Sequence, residues 1–149
     1  MERRSFIKKA IFGIVSLELG YLLFDAFKSK SSEKVKTNLF SAGKIAKFEK
    51  NKMYPYNSAK FYISVLEDGG LLAISIKCTH LGCMVQANAD GFLCPCHASA
   101  FDKHGEVLSP PATRALDIFP ISIQDGEILV DTNQAIKRDK FNKSQLTYV

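Results

Sequence analysis

The sequence predicts a small all-β domain, an antiparallel β-sandwich or barrel whose loops carry the chemistry, joined to one N-terminal transmembrane helix. Three observations lead there. From Thr37 onward, short runs rich in β-branched and aromatic residues recur, a composition that suits a pleated, half-buried surface. The turn signals Asp68-Gly69-Gly70 and Asp125-Gly126 separate successive runs, as in hairpins. Ahead of that block stands one apolar stretch of about 18 residues, Ala10 to Phe27, near the lower limit for a helix that crosses a bilayer.

Residues 1–27 come first in chain order. Arg3-Arg4-Ser5-Phe6-Ile7-Lys8 resembles the twin-arginine export motif, an address read by a receptor. That resemblance implies export of a folded protein, the route needed by a chain that takes up a metal cofactor in the cytoplasm. Glu18 lies mid-stretch and Asp25 near its end. A mid-span acid costs about 2.5–3.5 kcal/mol on insertion scales, tolerable if Glu18 is protonated or faces a partner helix. No clear small-residue cleavage site follows; Ser29-Lys30-Ser31 is a weak substitute. Residues 1–27 are therefore expected to be an uncleaved signal-anchor. Lys and Arg number four on each flank, so charge does not orient it. The twin-arginine motif does: N-terminus in the cytoplasm, domain on the outer, periplasmic side of a bacterial inner membrane.

Residues 28–36, KSKSSEKVK, are polar with no apolar period and read as a linker. The domain is expected over 37–131. Its strands are KFYISVLE (60–67), LLAISIKC (71–78), GFLCP (91–95), ALDIFPISI (115–123) and EILVD (127–131). Pro120 within one run marks an edge or a bulge. No internal repeat or low-complexity tract is visible. Residues 132–149 form a basic tail of weak periodicity, expected at the periphery. The formal charge is +5, but the block 37–131 holds eight basic and ten acidic residues. The excess belongs to the flanks. With no basic stripe interleaved with aromatics, a nucleic-acid partner is set aside.

All four cysteines and two of the three histidines fall in two short boxes, CTHLGC (78–83) and CPCH (94–97). Each box offers a Cys and a His a few residues apart, with one further Cys. Structural zinc would use two Cys and two His but leave two cysteines unexplained. Two plain disulfides would suit an exported protein but ignore the histidines. An iron–sulfur cluster with two Cys on one iron and two His on the other, the remaining cysteines bridging the loops, employs all six.

CTHLGC followed by CPCHASAFD, with GEVLSPP and DGEILVD downstream, resembles the Rieske iron–sulfur family across residues 60–131. The resemblance implies one 2Fe-2S cluster. Cys78 and Cys94 would bind the inner iron, His80 and His97 the outer, solvent-facing iron. Cys83 and Cys96 match the disulfide pair of the high-potential branch. Ser99 matches a serine that bonds a bridging sulfide. Phe101 stands where Tyr is frequent and cannot donate a hydrogen bond, which implies a lower potential suited to menaquinol. Leu81 is expected to shield the cluster between the boxes, or else to be ordinary core. Pro110 and Pro111 shape the third loop. Ala98 and Ser109 replace usual glycines. His104 matches no ligand position and is expected at the surface.

Imidazole ligation raises the potential into a range of roughly −150 to +300 mV. Two ferric ions, two sulfides and two thiolates sum to zero charge. Reduction adds a negative charge beside the imidazoles and raises their pKa, so electron and proton uptake are linked, as quinol oxidation requires. Anchor, linker and disulfide together resemble the Rieske subunit of cytochrome bc-type quinol–cytochrome c oxidoreductases. That resemblance implies a cytochrome b-type membrane subunit, a c-type cytochrome and quinol as partners, with His80 and His97 at the reacting edge. The alternatives are the small subunit of an arsenite-oxidase-like molybdoenzyme, or a free-standing exported electron carrier.

Overall fold

The computed structural model describes residues 12–14, 16–21, 24 and 39–149. The chain divides into two compact units, Met1–Lys36 and Thr37–Val149. In the first, the described residues are helical. No helix among the described residues is long and apolar enough to cross a membrane. The twin-arginine motif, much of the apolar stretch and the linker lie outside the described residues.

The second unit is all-β, in three antiparallel sheets. β1 (Leu39–Lys44), β11 (Glu127–Asp131) and β10 (Ile121–Gln124) form the first, in that order. The middle sheet runs β2 (Lys52–Tyr56), β3 (Phe61–Val65), β4 (Leu71–Ser75), β9 (Ile118–Phe119). The third runs β5 (Gln86–Ala87), β6 (Gly91–Leu93), β7 (Ala100–Asp102), β8 (Val107–Ser109).

Every residue of β3 and β4 is buried, because both faces of the middle sheet are covered. Side chains alternate across a strand, so these two strands feed two cores. Phe61, Ile63, Val65, Leu71 and Ala73 join Ala42, Ile128 and Val130. Tyr62, Leu72 and Ile74 join Phe92, Phe101, Leu116, Cys78 and Cys94. The second core is the floor on which the cysteine loops stand. A near-continuous apolar run is the expected signature of a strand buried on both faces.

The expected strands are present; EILVD forms β11 over its full length, and the others are shorter than their apolar runs. The run 115–123 differs in kind. Pro120 divides it into β9 and β10, which belong to different sheets and lie at the edge of each. Pro120 has no N–H to donate, and its carbonyl accepts from Asp131 N at 3.0 Å.

The tail, expected at the periphery, is stitched to the domain. Ile136 exchanges backbone bonds with Ile118, and Thr147 with Leu71. Arg138 is only 6% exposed, and Phe141 and Leu146 pack on the second core. Buried backbone groups need partners, and tail and loop segments supply them to each other.

Candidate metal centre

Two loops rise from this floor, and each is closed by its own backbone. In the first, Cys78 N donates to Cys83 O (2.7 Å) and Gly82 N to Cys78 O (2.9 Å). In the second, Cys94 N donates to Ser99 O (2.8 Å) and Ala98 N to Cys94 O (3.0 Å). Counting from the leading Cys, the bonds join the same positions. The fifth residue has positive φ in both: +81° at Gly82, +59° at Ala98. That left-handed turn explains why glycine suits the Ala98 position; an alanine there carries steric cost. Ser109 lies in β8 opposite Ala100, an extended position with no need of glycine.

The donors are sorted by depth. Cys78 and Cys94 are free thiols, 3% and 1% exposed. His80 is half-buried and His97 exposed. The two imidazoles meet edge to face, centroids 5.0 Å apart and planes at 89°. Cys83 and Cys96 form a disulfide between the loops. With Cys78 and Cys94 left free, the reading with two disulfides is ruled out. The sulfurs of Cys83, Cys94 and Cys96 lie within 4.8 Å of one another.

Burial pushes the Cys78 thiol pKa up. The His80 backbone N–H pulls it down, the neighbouring Cys94 raises it, and the Ser99 hydroxyl lowers it by donating to the sulfur. A positive charge beside the buried Cys78 sulfur would offset that burial. Nδ1 of His80 is buried with no hydrogen-bond partner, an arrangement that costs free energy unless something else occupies its lone pair. A metal centre would satisfy both. The donor set fits an iron–sulfur cluster.

A third segment, 110–114, ties the loops together. Thr79 Oγ1 donates to Arg114 O (2.8 Å), and Ala112 N donates to Ser99 Oγ (3.0 Å). Ser99 is fully buried. Pro110 and Pro111 are exposed and joined by a cis bond. Phe101 is buried opposite Phe92. Leu81 is 70% exposed, so it is not ordinary core. His104, expected at the surface, is half-buried: Nδ1 lies 3.0 Å from Asp102 Oδ2 and its ring packs on Phe141. Sequence reasoning missed Thr79 and Arg114. Thr79 lies inside the first box, but nothing in the sequence marks its partner.

The Rieske 2Fe-2S domain family matches residues 38–120. The chain belongs to the Rieske family. The match begins well before Lys60, where the resemblance of the motifs starts. The Rieske domain binds a 2Fe-2S cluster, so that cluster, and not zinc, is the cofactor. The chain is 31% identical to the cytochrome b6-f complex iron–sulfur subunit of Chlorobaculum tepidum, over 87% of this chain and 75% of that protein. It is 40% identical to the same-named subunit of Prochlorococcus marinus, over 46% of this chain and 41% of that one. The apo form of the quaternary ammonium Rieske monooxygenase CntA superposes with a TM-score of 0.54. That likeness covers 64% of this chain and 33% of that one at 14% identity, and it shows the Rieske fold alone.

Proposed function

We propose that this chain is the iron–sulfur electron-transfer subunit of a membrane-bound quinol–cytochrome c oxidoreductase of the cytochrome bc type. One observation carries the reading: paired imidazoles, one exposed, stand above a buried cysteine pair, with a disulfide joining their loops. The likeness to cytochrome b6-f iron–sulfur subunits over most of the chain supports it.

In this reading Cys78 and Cys94 hold the inner iron and His80 and His97 the outer one. The cluster supplies one-electron redox chemistry, with its potential raised by imidazole ligation. Nδ1 of His80 is the buried, unpartnered nitrogen and serves as the ligand atom, so Nε2 is left to hold a proton. The exposed ring of His97 accepts a hydrogen bond from the quinol hydroxyl and then its proton. The Ser99 hydroxyl would donate to a bridging sulfide and stabilise added negative charge. Phe101 offers no such donor, which lowers the potential and suits menaquinol. Exposed Leu81 and Pro110 form an apolar rim around the centre that shields it when docked. A cytochrome b-type subunit and a c-type cytochrome are the partners. Residues 1–27 attach the chain to the bacterial inner membrane, with the domain on its outer side.

The test is a redox titration of the cluster-loaded chain against pH, read by electron paramagnetic resonance. Reduction raises the imidazole pKa. The midpoint therefore falls with rising pH between the oxidised-state and reduced-state pKa values, and is flat outside that window. One proton per electron gives a slope of about 59 mV per pH unit. A midpoint indifferent to alkaline pH would remove the basis for quinol oxidation. Co-purification with a molybdopterin subunit in place of a cytochrome b would overturn the complex assigned.

A further inference from the structure

We propose that Arg138, in the C-terminal tail, is a positioning residue for the redox centre: it clasps the neck of the loop that orients Ser99 and Thr79. The inference rests on the reading that Cys78, Cys94, His80 and His97 hold the cluster.

The third loop is an excursion that leaves at Gly105 and returns at Leu116. Leu116 N donates to Gly105 O (2.8 Å) and closes the neck. The Arg138 guanidinium braces both sides. Nε donates to Leu116 O at 2.7 Å, and Nη2 donates to His104 O. Nη1 donates to Gln145 Oε1 at 2.7 Å. A planar fork with donors in fixed directions can hold two backbone carbonyls at once; a lysine cannot. Gly105 has φ +80°, and a Cβ there would lie 2.7 Å from Nη2, so glycine is what admits the guanidinium. The tail adds Ala115 N to Asp139 O (3.0 Å) and Phe141 N to Glu106 Oε1 (2.8 Å). Burial lowers the Arg138 pKa to about 10, so it remains a cation at neutral pH. Asp102, Glu106 and Asp117 offset part of that burial cost.

At its far end the same excursion presents Ala112 N to Ser99 Oγ and Arg114 O to Thr79 Oγ1. A hydroxyl has one proton and two lone pairs. With a lone pair committed to Ala112 N, the Ser99 proton is left to turn toward the sulfur atoms of the centre. Loosening the neck lets Ala112 drift, frees the hydroxyl rotor and weakens its bond to sulfur. The potential then falls, because a donor to sulfur stabilises the reduced state.

The experiment is a double-mutant cycle on the full-length, cluster-loaded chain, with midpoint potential at fixed pH and the paramagnetic resonance spectrum as readouts. Arg138→Met should lower the midpoint in the same direction as Ser99→Ala, by less. The double variant should fall no lower than Ser99→Ala alone, since both act on one bond. An unchanged midpoint in folded Arg138→Met, or a fully additive double variant, overturns the inference. Arg138→Lys keeps the charge but loses the fork, and should also lower the midpoint. A wild-type midpoint there would assign the effect to charge and overturn the positioning role. If Arg138→Met does not fold, Arg138→Lys takes its place in the cycle. Persistence of the mixed-ligand signal in Cys78→Ser would instead overturn the ligand assignment, and the inference with it.

Discussion

The loops Cys78–Cys83 and Cys94–Ser99 share a backbone bracket but load it differently. Both close from the first residue to the sixth and from the fifth to the first, with positive φ at the fifth. The first loop places its imidazole at the third position, half-buried; the second places it at the fourth, exposed. The first gives a cysteine to the disulfide from its sixth position, the second from its third. The bracket sets where the buried sulfurs lie, and the register of the other side chains sets what reaches solvent. A one-residue offset is enough to give two imidazoles of one site different exposure, and so different access to an external proton donor.

Three sets of variants would break or sharpen that comparison. The largest effect should come from the position both loops share. Cys78→Ser and Cys94→Ser should each abolish cluster binding, measured as iron content and visible absorption. If one variant keeps a full cluster, the loops are not equivalent at their leading cysteine. Next comes the cross-link. Cys83→Ser opens a covalent loop of sequence separation 13 and should cost about 3 kcal/mol of stability, read by urea unfolding. Its midpoint potential should fall as the loops loosen; a wild-type midpoint would make the disulfide a staple of the fold alone. The smallest effect should come from the fifth position. Ala98→Gly relieves left-handed strain at some cost in chain entropy and should stabilise by about 0.5–1 kcal/mol. Gly82→Ala should do the reverse by a similar amount, because its new Cβ would also press on Lys77 Cε at 3.0 Å. Equal signs in urea unfolding would show that the bracket is not shared.

Much of the centre was legible because metal chemistry restricts residue types. Cys and His at these spacings have few uses, and the boxes stood out against a chain with no other cysteine. The kinship of the two loops was not legible. CTHLGC and CPCHAS align only at their first residue; what repeats is a pair of hydrogen bonds and a φ angle. The tail was misjudged for a related reason. Its apolar residues follow no period: Phe141 and Leu146 pack on the second core at separate points, while Ile136 is exposed and joins the domain by its backbone alone. Arg138 is one cation of a basic tail, and only the facing carbonyls of His104 and Leu116 show why it is buried. His104 keeps a partly exposed ring, as expected, but a lone histidine in a polar turn carries no sign of Asp102 or Phe141 beside it.

By itself the sequence determined the all-β class, the central strands, the paired boxes and the family, because strand periodicity and soft-ligand chemistry are written in local residue types. The tertiary structure alone decided two things: which imidazole faces solvent, and which distant residues hold the third loop against the other two. Those depend on distances between segments far apart in the chain. Ser99 meets Ala112, Thr79 meets Arg114, and Arg138 meets Leu116 only once burial of the shared core has brought their backbones within hydrogen-bonding reach.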